Sequence, residues 1–131
     1  MSGSWVKRRI LIRLRENIEN MEKIFNQYIV ELKKLYPRST IILYGSRARN
    51  DYLPYSDYDL LIVLEKVSDK LGEVVRARRV KPRVLPLDLI VIGLDEIRDP
   101  LILKALKQGY KILYDALGLS YELEQLLSSI K

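Results

Sequence analysis

Two aspartates one residue apart, Asp57 and Asp59, stand at the mouth of an apolar run that continues through Leu60-Leu-Ile-Val-Leu64. In extended chain, side chains at i and i+2 share a face, so both carboxylates point the same way. Two anions held that close repel and raise each other's pKa unless cations sit between them. Oxygen donors of this kind suit Mg²⁺. A third acid, Asp88, lies in Leu85-Pro-Leu-Asp-Leu-Ile-Val-Ile92, the most apolar run of the chain, where an ionised carboxylate is costly unless paired or metal-bound. An ion pair with Arg76, Arg78, Arg79 or Arg83 would satisfy it. So would convergence with Asp57 and Asp59, if the two runs are neighbouring strands. Three converging carboxylates are what a two-metal phosphoryl-transfer site requires.

A second candidate is the segment Ile41-Ile-Leu-Tyr-Gly-Ser-Arg-Ala-Arg-Asn-Asp51, which passes from a buried strand into a Gly-Ser turn and then into residues able to start a short helix. Such a turn presents backbone N–H groups to an anion. Gly45 permits close approach of a phosphate, the Ser46 hydroxyl can donate to it, and Arg47 and Arg49 can add charge-assisted contacts. An ordinary tight turn is the competing reading, because Gly-Ser pairs are common in turns.

These pieces need elements to position them. From Leu11 to Leu35 apolar residues recur at alternating steps of three and four: Leu11, Leu14, Ile18, Met21, Phe25, Tyr28, Leu32 and Leu35. That is one stripe along a long helix, ended by Pro37. The stripe can pack on the chain's own sheet, or it can face a partner or a second copy, since sustained heptads also suit coiled coils. Runs rich in Ile, Leu and Val at Thr40 to Tyr44, Tyr58 to Leu64 and Val84 to Ile92 read as strands. A helix with a basic end is expected within Val67 to Arg83, broken at Pro82. Leu101 to Gln108 reads as another helix stopped by Gly109, Tyr110 to Leu113 as a short strand, and Tyr121 to Ile130 as a final amphipathic helix. The order predicts an α+β fold of layered type, a mixed central sheet flanked by helices, with residues 1–131 as a single domain.

Composition narrows the chemistry further. The 131 residues contain no cysteine and no histidine, which removes disulfides, zinc sites and every histidine-dependent mechanism. Catalysis must then run on carboxylates, hydroxyls, amines or bound ions. No apolar stretch approaches the roughly 20 residues that span a bilayer, so a cytoplasmic protein without a membrane partner is expected. Twenty-three Lys and Arg against 17 Asp and Glu give a charge of +6, which suits phosphate-bearing or acidic partners.

Taken together, the motifs resemble the minimal nucleotidyltransferases of the DNA polymerase β superfamily. The pattern is an apolar strand, Gly45-Ser46, ten intervening residues, Asp57-Tyr58-Asp59 in a second apolar strand, and Asp88 on a later one. The fuller forms Gly-Ser-x-Ala-Arg and Ser-Asp-x-Asp-Leu stand at 45–49 and 56–60. One departure is Asn50, where many relatives carry glycine; asparagine tolerates the left-handed conformation better than most residues.

The resemblance implies a polymerase β palm-like nucleotidyltransferase fold, here with a long N-terminal helix, and transfer of a nucleoside monophosphate from ATP or another nucleoside triphosphate. It assigns two Mg²⁺ ions to Asp57, Asp59 and Asp88, the catalytic set, and the triphosphate to Gly45, Ser46, Arg47 and Arg49. It points to a protein hydroxyl as acceptor, on a helical HEPN-type toxin for which a protein like this is the antitoxin. A non-enzymatic binding module and nucleotide addition to RNA through Arg76-Ala-Arg-Arg-Val-Lys-Pro-Arg83 are the alternatives, and a homodimer is a further possibility. Self-modification would fall to Tyr52, Tyr55 or Tyr58, which the sequence places near the acids.

Overall fold

The computed structural model describes residues 3–130. A long helix, α1 (Gly3–Leu35), leads into strand β1 (Ser39–Tyr44) and a one-turn helix, α2 (Ser46–Arg49). Strand β2 (Tyr58–Leu64), helix α3 (Lys70–Arg79) and strand β3 (Leu87–Gly93) follow. A 3-10 turn at Leu94–Glu96 precedes helix α4 (Pro100–Lys107), strand β4 (Tyr110–Asp115) and helix α5 (Ser120–Ser128). The strands form one mixed sheet in the order β3-β2-β1-β4. β1 runs antiparallel to both β2 and β4, whereas β2 and β3 are parallel. A parallel pair cannot be closed by a tight turn, and α3 supplies the crossover.

Both faces of this sheet are covered, which is why β2 reads as a nearly continuous apolar run rather than an alternating one. Leu60, Ile62 and Leu64 meet Tyr28, Leu32 and Ala77 beneath α1 and α3. Leu61 and Val63 meet Leu103, Leu106, Leu123 and Leu127 beneath α4 and α5. Polar side chains tie the layers together. The Tyr28 hydroxyl donates to the Ala77 carbonyl at 2.9 Å, and the Tyr36 hydroxyl to Glu73 Oε2 at 2.8 Å. Asp115 accepts from Thr40 on β1 and from Leu119 and Ser120 at the start of α5. Burial would raise the Asp115 pKa, but these bonds outweigh it and hold the carboxyl at about 2.

The expected order of elements is present, with shifts at their ends. α1 begins eight residues before the apolar stripe does, because nothing from Gly3 to Leu11 interrupts helix. β3 starts at Leu87 rather than Val84, since Pro82 and Pro86 break the ladder. The Lys81 ammonium instead gathers the carbonyls of Pro82 and Leu85 into a turn. α3 starts at Lys70, where Asp69 caps the Gly72 N–H at 3.0 Å. Among the described residues no helix is long and apolar enough to cross a membrane.

The stripe on α1 divides into two parts. Phe25, Tyr28, Ile29 and Leu32 are buried, whereas Leu11 is 65% exposed and Ile10 54%. Only the part of the helix from Met21 onward packs on the core. Leu32→Ala is therefore expected to cost about 2–5 kcal/mol. Leu11→Ala, at the same heptad position, should stay within about 0.5 kcal/mol. Urea unfolding of both variants checks this, and equal losses would contradict the division.

Candidate active site

β1 ends at Tyr44 and turns sharply at Gly45, whose φ of 74° and ψ of −154° are open essentially to glycine alone. A second constraint acts at the same atom: a Cβ there would lie 2.3 Å from Asp59 Oδ2. The Gly45 carbonyl accepts from the Ala48 and Arg49 N–H groups at 3.1 Å, which starts the α2 turn. Asn50 closes it in the left-handed conformation, φ 62°, as its side-chain type allows. Ser46 sits at the head of this turn, and its hydroxyl has no partner among the described residues.

The strand register brings the acids to this turn. Tyr44 is paired with Asp59 across β1 and β2, and Asp59 with Asp88 across β2 and β3. Asp59 shares its face with Leu61 and Val63, and Asp88 shares its face with Ile90 and Ile92, so both carboxylates emerge on the α4 and α5 side of the sheet. Asp57 precedes β2 directly and is exposed, as is Asp88; Asp59 is half-buried. Among the described residues none of the three accepts a hydrogen bond or forms an ion pair.

The electrostatics follow from this geometry. Burial pushes the Asp59 carboxyl above its ordinary value, and the charges of Asp88 and then Asp57 push it further, against a smaller pull from Arg49. The Tyr44 hydroxyl is raised to about 12 by burial and by the charges of Asp88 and Asp59. The three carboxylates thus act on one another through their charge, with Asp59 and Asp88 in register on neighbouring strands. Among the described residues no group of three acids is gathered closely enough to hold a metal ion as it stands. The donor chemistry fits a hard divalent ion: oxygen-only, anionic and free of protein partners.

The ion pair considered for Asp88 does not form. Arg78 donates to the Leu87 carbonyl at 3.1 Å, and Arg76 lies 3.8 Å from Glu73. Arg47 is not with the turn or the acids either. It is 4% exposed, donates to the Ser56 carbonyl at 2.8 Å, and lies 4.1 Å from the ring centroids of both Tyr52 and Tyr58. Cation–π contact and carbonyl bonding make it the clamp of the 50–57 loop in place of the expected phosphate contact. Arg49 stays beside the site. Its stem rests on Gly109, where a Cβ would meet its Cγ at 2.6 Å, and its guanidinium meets Asp51 at 2.9 Å.

Tyr52 and Tyr58 likewise lie on the α1 side, Tyr58 stacked on Phe25 with centroids 4.2 Å apart. The tyrosines on the acidic side are Tyr44 and Tyr110, paired across β1 and β4. The signal for Tyr44 was strand parity: it alternates with Ile42 and immediately precedes the turn.

A mixed sheet that sets a glycine turn against an aspartate pair, with a third aspartate in register on the next strand, has the construction of a nucleotidyltransferase domain. The chain belongs to the family of that description, nucleotidyltransferase domain, which matches residues 25–127. No curated protein matches it. Among solved structures it is similar to a Sulfolobus solfataricus protein provisionally described as a nucleotidyltransferase. That match has 23% identity and a TM-score of 0.58, and covers 77% of this chain and 86% of the other. A toxin-antitoxin structure with AMP-PNP is 17% identical with a TM-score of 0.49, over 78% of this chain and 80% of that one. Likeness at such identity speaks to the fold alone.

Two measurements test the site. Because its folded pKa is raised, Asp59 favours the fold below the ordinary carboxylate pKa of about 4, and that contribution is lost as pH rises through the raised value. In EDTA, Asp59→Asn should melt above the parent at pH 7 and lose that advantage near pH 3.5. A lower melting temperature at pH 7 would contradict the repulsion. Gly45→Ala should cost about 1–3 kcal/mol in chemical denaturation, and a neutral result would remove the strain argument.

Proposed function

We propose that this chain is a Mg²⁺-dependent nucleotidyltransferase that moves AMP from ATP to a hydroxyl of a partner protein. The observation carrying the chemistry is Asp59 and Asp88 in register on adjacent strands, with Asp59 against the Gly45 turn and the charge of Asp57 acting on it. Unneeded like charges would destabilise such a site, and their retention favours an ion-dependent enzyme over a passive binding module.

In the proposed mechanism the backbone N–H groups of the turn and the Ser46 hydroxyl hold the β and γ phosphates of the triphosphate. Arg49, beside the turn, counters charge that develops there. Asp88 accepts the proton of the attacking hydroxyl as its oxygen bonds to the α-phosphorus. The bond from that phosphorus to the bridging oxygen breaks in line, and pyrophosphate leaves. Asp57 and Asp59, with Asp88 sharing one ion, would hold two Mg²⁺, which supply charge neutralisation and a more acidic attacking hydroxyl when bound. Gly45 lets Asp59 approach the turn, so that phosphate and acid occupy one small space.

A protein acceptor is favoured by the exposed apolar side chains of Trp5, Val6, Ile10, Leu11 and Ile12, which lie outside the matched family segment. The motif resemblance supplies the particular partner, a helical HEPN-type toxin that the modification silences. RNA addition finds less support, because Arg78, Arg76 and Lys81 of the basic stretch are engaged by carbonyls, by Glu73 and by the Tyr36 ring.

Incubation with ATP, Mg²⁺ and a candidate helical HEPN-type partner, followed by intact-mass spectrometry, should show an AMP-sized addition on the partner. Asp57→Asn should reduce it at least about 100-fold, the scale of losing one electrostatic stabiliser of the transition state. Its melting temperature should be no lower than the parent's, since the neutral isostere relieves repulsion. Undiminished transfer by the folded variant would defeat the assignment.

A further inference from the structure

The family match begins at Phe25, which is also the first buried residue of α1. Residues 3–20 thus precede both the matched segment and the first side chains packed on the core, Met21 and Ile24, and form an arm of about 27 Å of helix at 1.5 Å per residue. Phe25 stacks on Tyr58 at the start of β2, so the arm overhangs the end of the sheet where Asp57 and Asp59 stand. Trp5, Val6, Ile10, Leu11 and Ile12 on it are each at least half exposed. Beside it lies a groove of about 410 Å³ lined by Trp5, Val6, Ile10, Leu14 and Tyr55, the last only two residues before Asp57.

We infer that this arm is the docking element for a partner protein, and that the surface it takes is a helical groove carrying carboxylates beside apolar side chains. The inference rests on the partner-protein reading above and specifies its recognition surface. Charge carries the argument. Lys7, Arg8, Arg9, Arg13 and Arg15 are all exposed, and no acid stands between Gly3 and Arg15. A second copy laid on the arm in either direction would bring five cations against five, so self-pairing is disfavoured.

The arrangement of apolar residues separates the other classes of occupant. At about 100° per residue, Val6, Ile10 and Leu14 form one ridge and Trp5 and Ile12 another, with Arg9 and Arg13 between them. A helix lying on a lipid surface presents one apolar side, not two. A nucleic acid would meet the cations through phosphate and leave both ridges wet. A groove between acidic helices covers both ridges and neutralises the cations between them. Arg9 already stacks on Trp5 at 4.9 Å, which holds that ring against the basic strip.

Trp5 is the only tryptophan of the chain, so its fluorescence reports the arm directly. The probe is a designed helical peptide with Leu at heptad positions a and d and Glu at e and g, titrated into the full protein without nucleotide or metal. A saturable blue shift is expected. Arg8→Glu/Arg9→Glu/Arg13→Glu should weaken it at least tenfold and bind the Lys counterpart of the peptide instead. Val6→Ser/Ile10→Ser should weaken it with the charges intact; all these positions are exposed, and an unchanged melting temperature will show that the fold survives.

No saturable shift with the acidic peptide overturns the inference. So does an equal shift with phosphatidylcholine–phosphatidylglycerol vesicles or a 20-mer RNA duplex, or a dimer by size-exclusion chromatography that Val6→Ser/Ile10→Ser dissolves. Because binding is read without ATP, failure here leaves nucleotidyl transfer untouched, and loss of transfer in Asp57→Asn leaves this binding intact.

Discussion

The register of two parallel strands, Asp59 on β2 against Asp88 on β3, is the constraint on which the remainder of the molecule depends. Neighbouring strands lie about 4.8 Å apart, so two carboxylates in register on one face confront each other at a separation that water-exposed anions would avoid. The sheet enforces that proximity. Leu60 to Leu64 on β2 and Leu89 to Ile92 on β3 are buried on both faces, and a one-residue slip would exchange the two faces and turn every side chain of the strand over. Hydrophobic burial along five residues thereby fixes the position of two charges at the strand ends. The helix α3 is needed for the same reason, since only a crossover can make β2 and β3 parallel.

The turn after β1 solves a complementary problem, bringing backbone N–H groups to the same place as the carboxylates. Gly45 meets it twice, by adopting a backbone conformation closed to other residues and by leaving room for Asp59 Oδ2. The return path from α2 to β2 is a loop with little regular structure, and such loops need local bonding to stay in one conformation. Arg47 supplies that bonding from the opposite face, between two tyrosine rings and against the Ser56 carbonyl. Ser56 in turn accepts the Leu53 N–H on its hydroxyl. The residue that holds the loop is therefore a different arginine from the one beside the acids.

Much of this was legible in the chain itself, for physical reasons that differ by residue. The apolar runs marked the strands because both sheet faces are covered. Asp57, Asp59 and Asp88 stood out because acids interrupting or opening such runs are costly. Asn50 was read as tolerating left-handed backbone, and it adopts it. Arg47 and Arg49 could not be told apart, because spacing in a turn does not say which side chain folds back beneath the sheet. Tyr52 and Tyr58 are near the acids in sequence but lie on the other face of the sheet. Tyr58 alternates with Asp59 and must point the other way, whereas Tyr44, fourteen residues earlier, is drawn in by antiparallel pairing. The helical stripe of α1 did not reveal where the sheet beneath it ends, because the periodicity is the same over buried and exposed turns.

The two faces of the sheet end up with different tasks. The α4 and α5 face carries the acids at its uncovered end, and the α1 face carries the overhanging arm. They are joined by the 50–57 loop, which begins after the glycine turn, passes Tyr52 and Tyr55 on the α1 side, and ends at Asp57. Tyr52 and Tyr58 grip Arg47 while Phe25 stacks on Tyr58, so one ladder of rings and guanidinium connects the base of the arm to the strand that bears Asp59. Asp57 is exposed and lies outside the β2 ladder, so strand register does not hold it as it holds Asp59 and Asp88. A contact that tightens the loop would act first on Asp57, while Asp59 and Asp88 are already held by strand register.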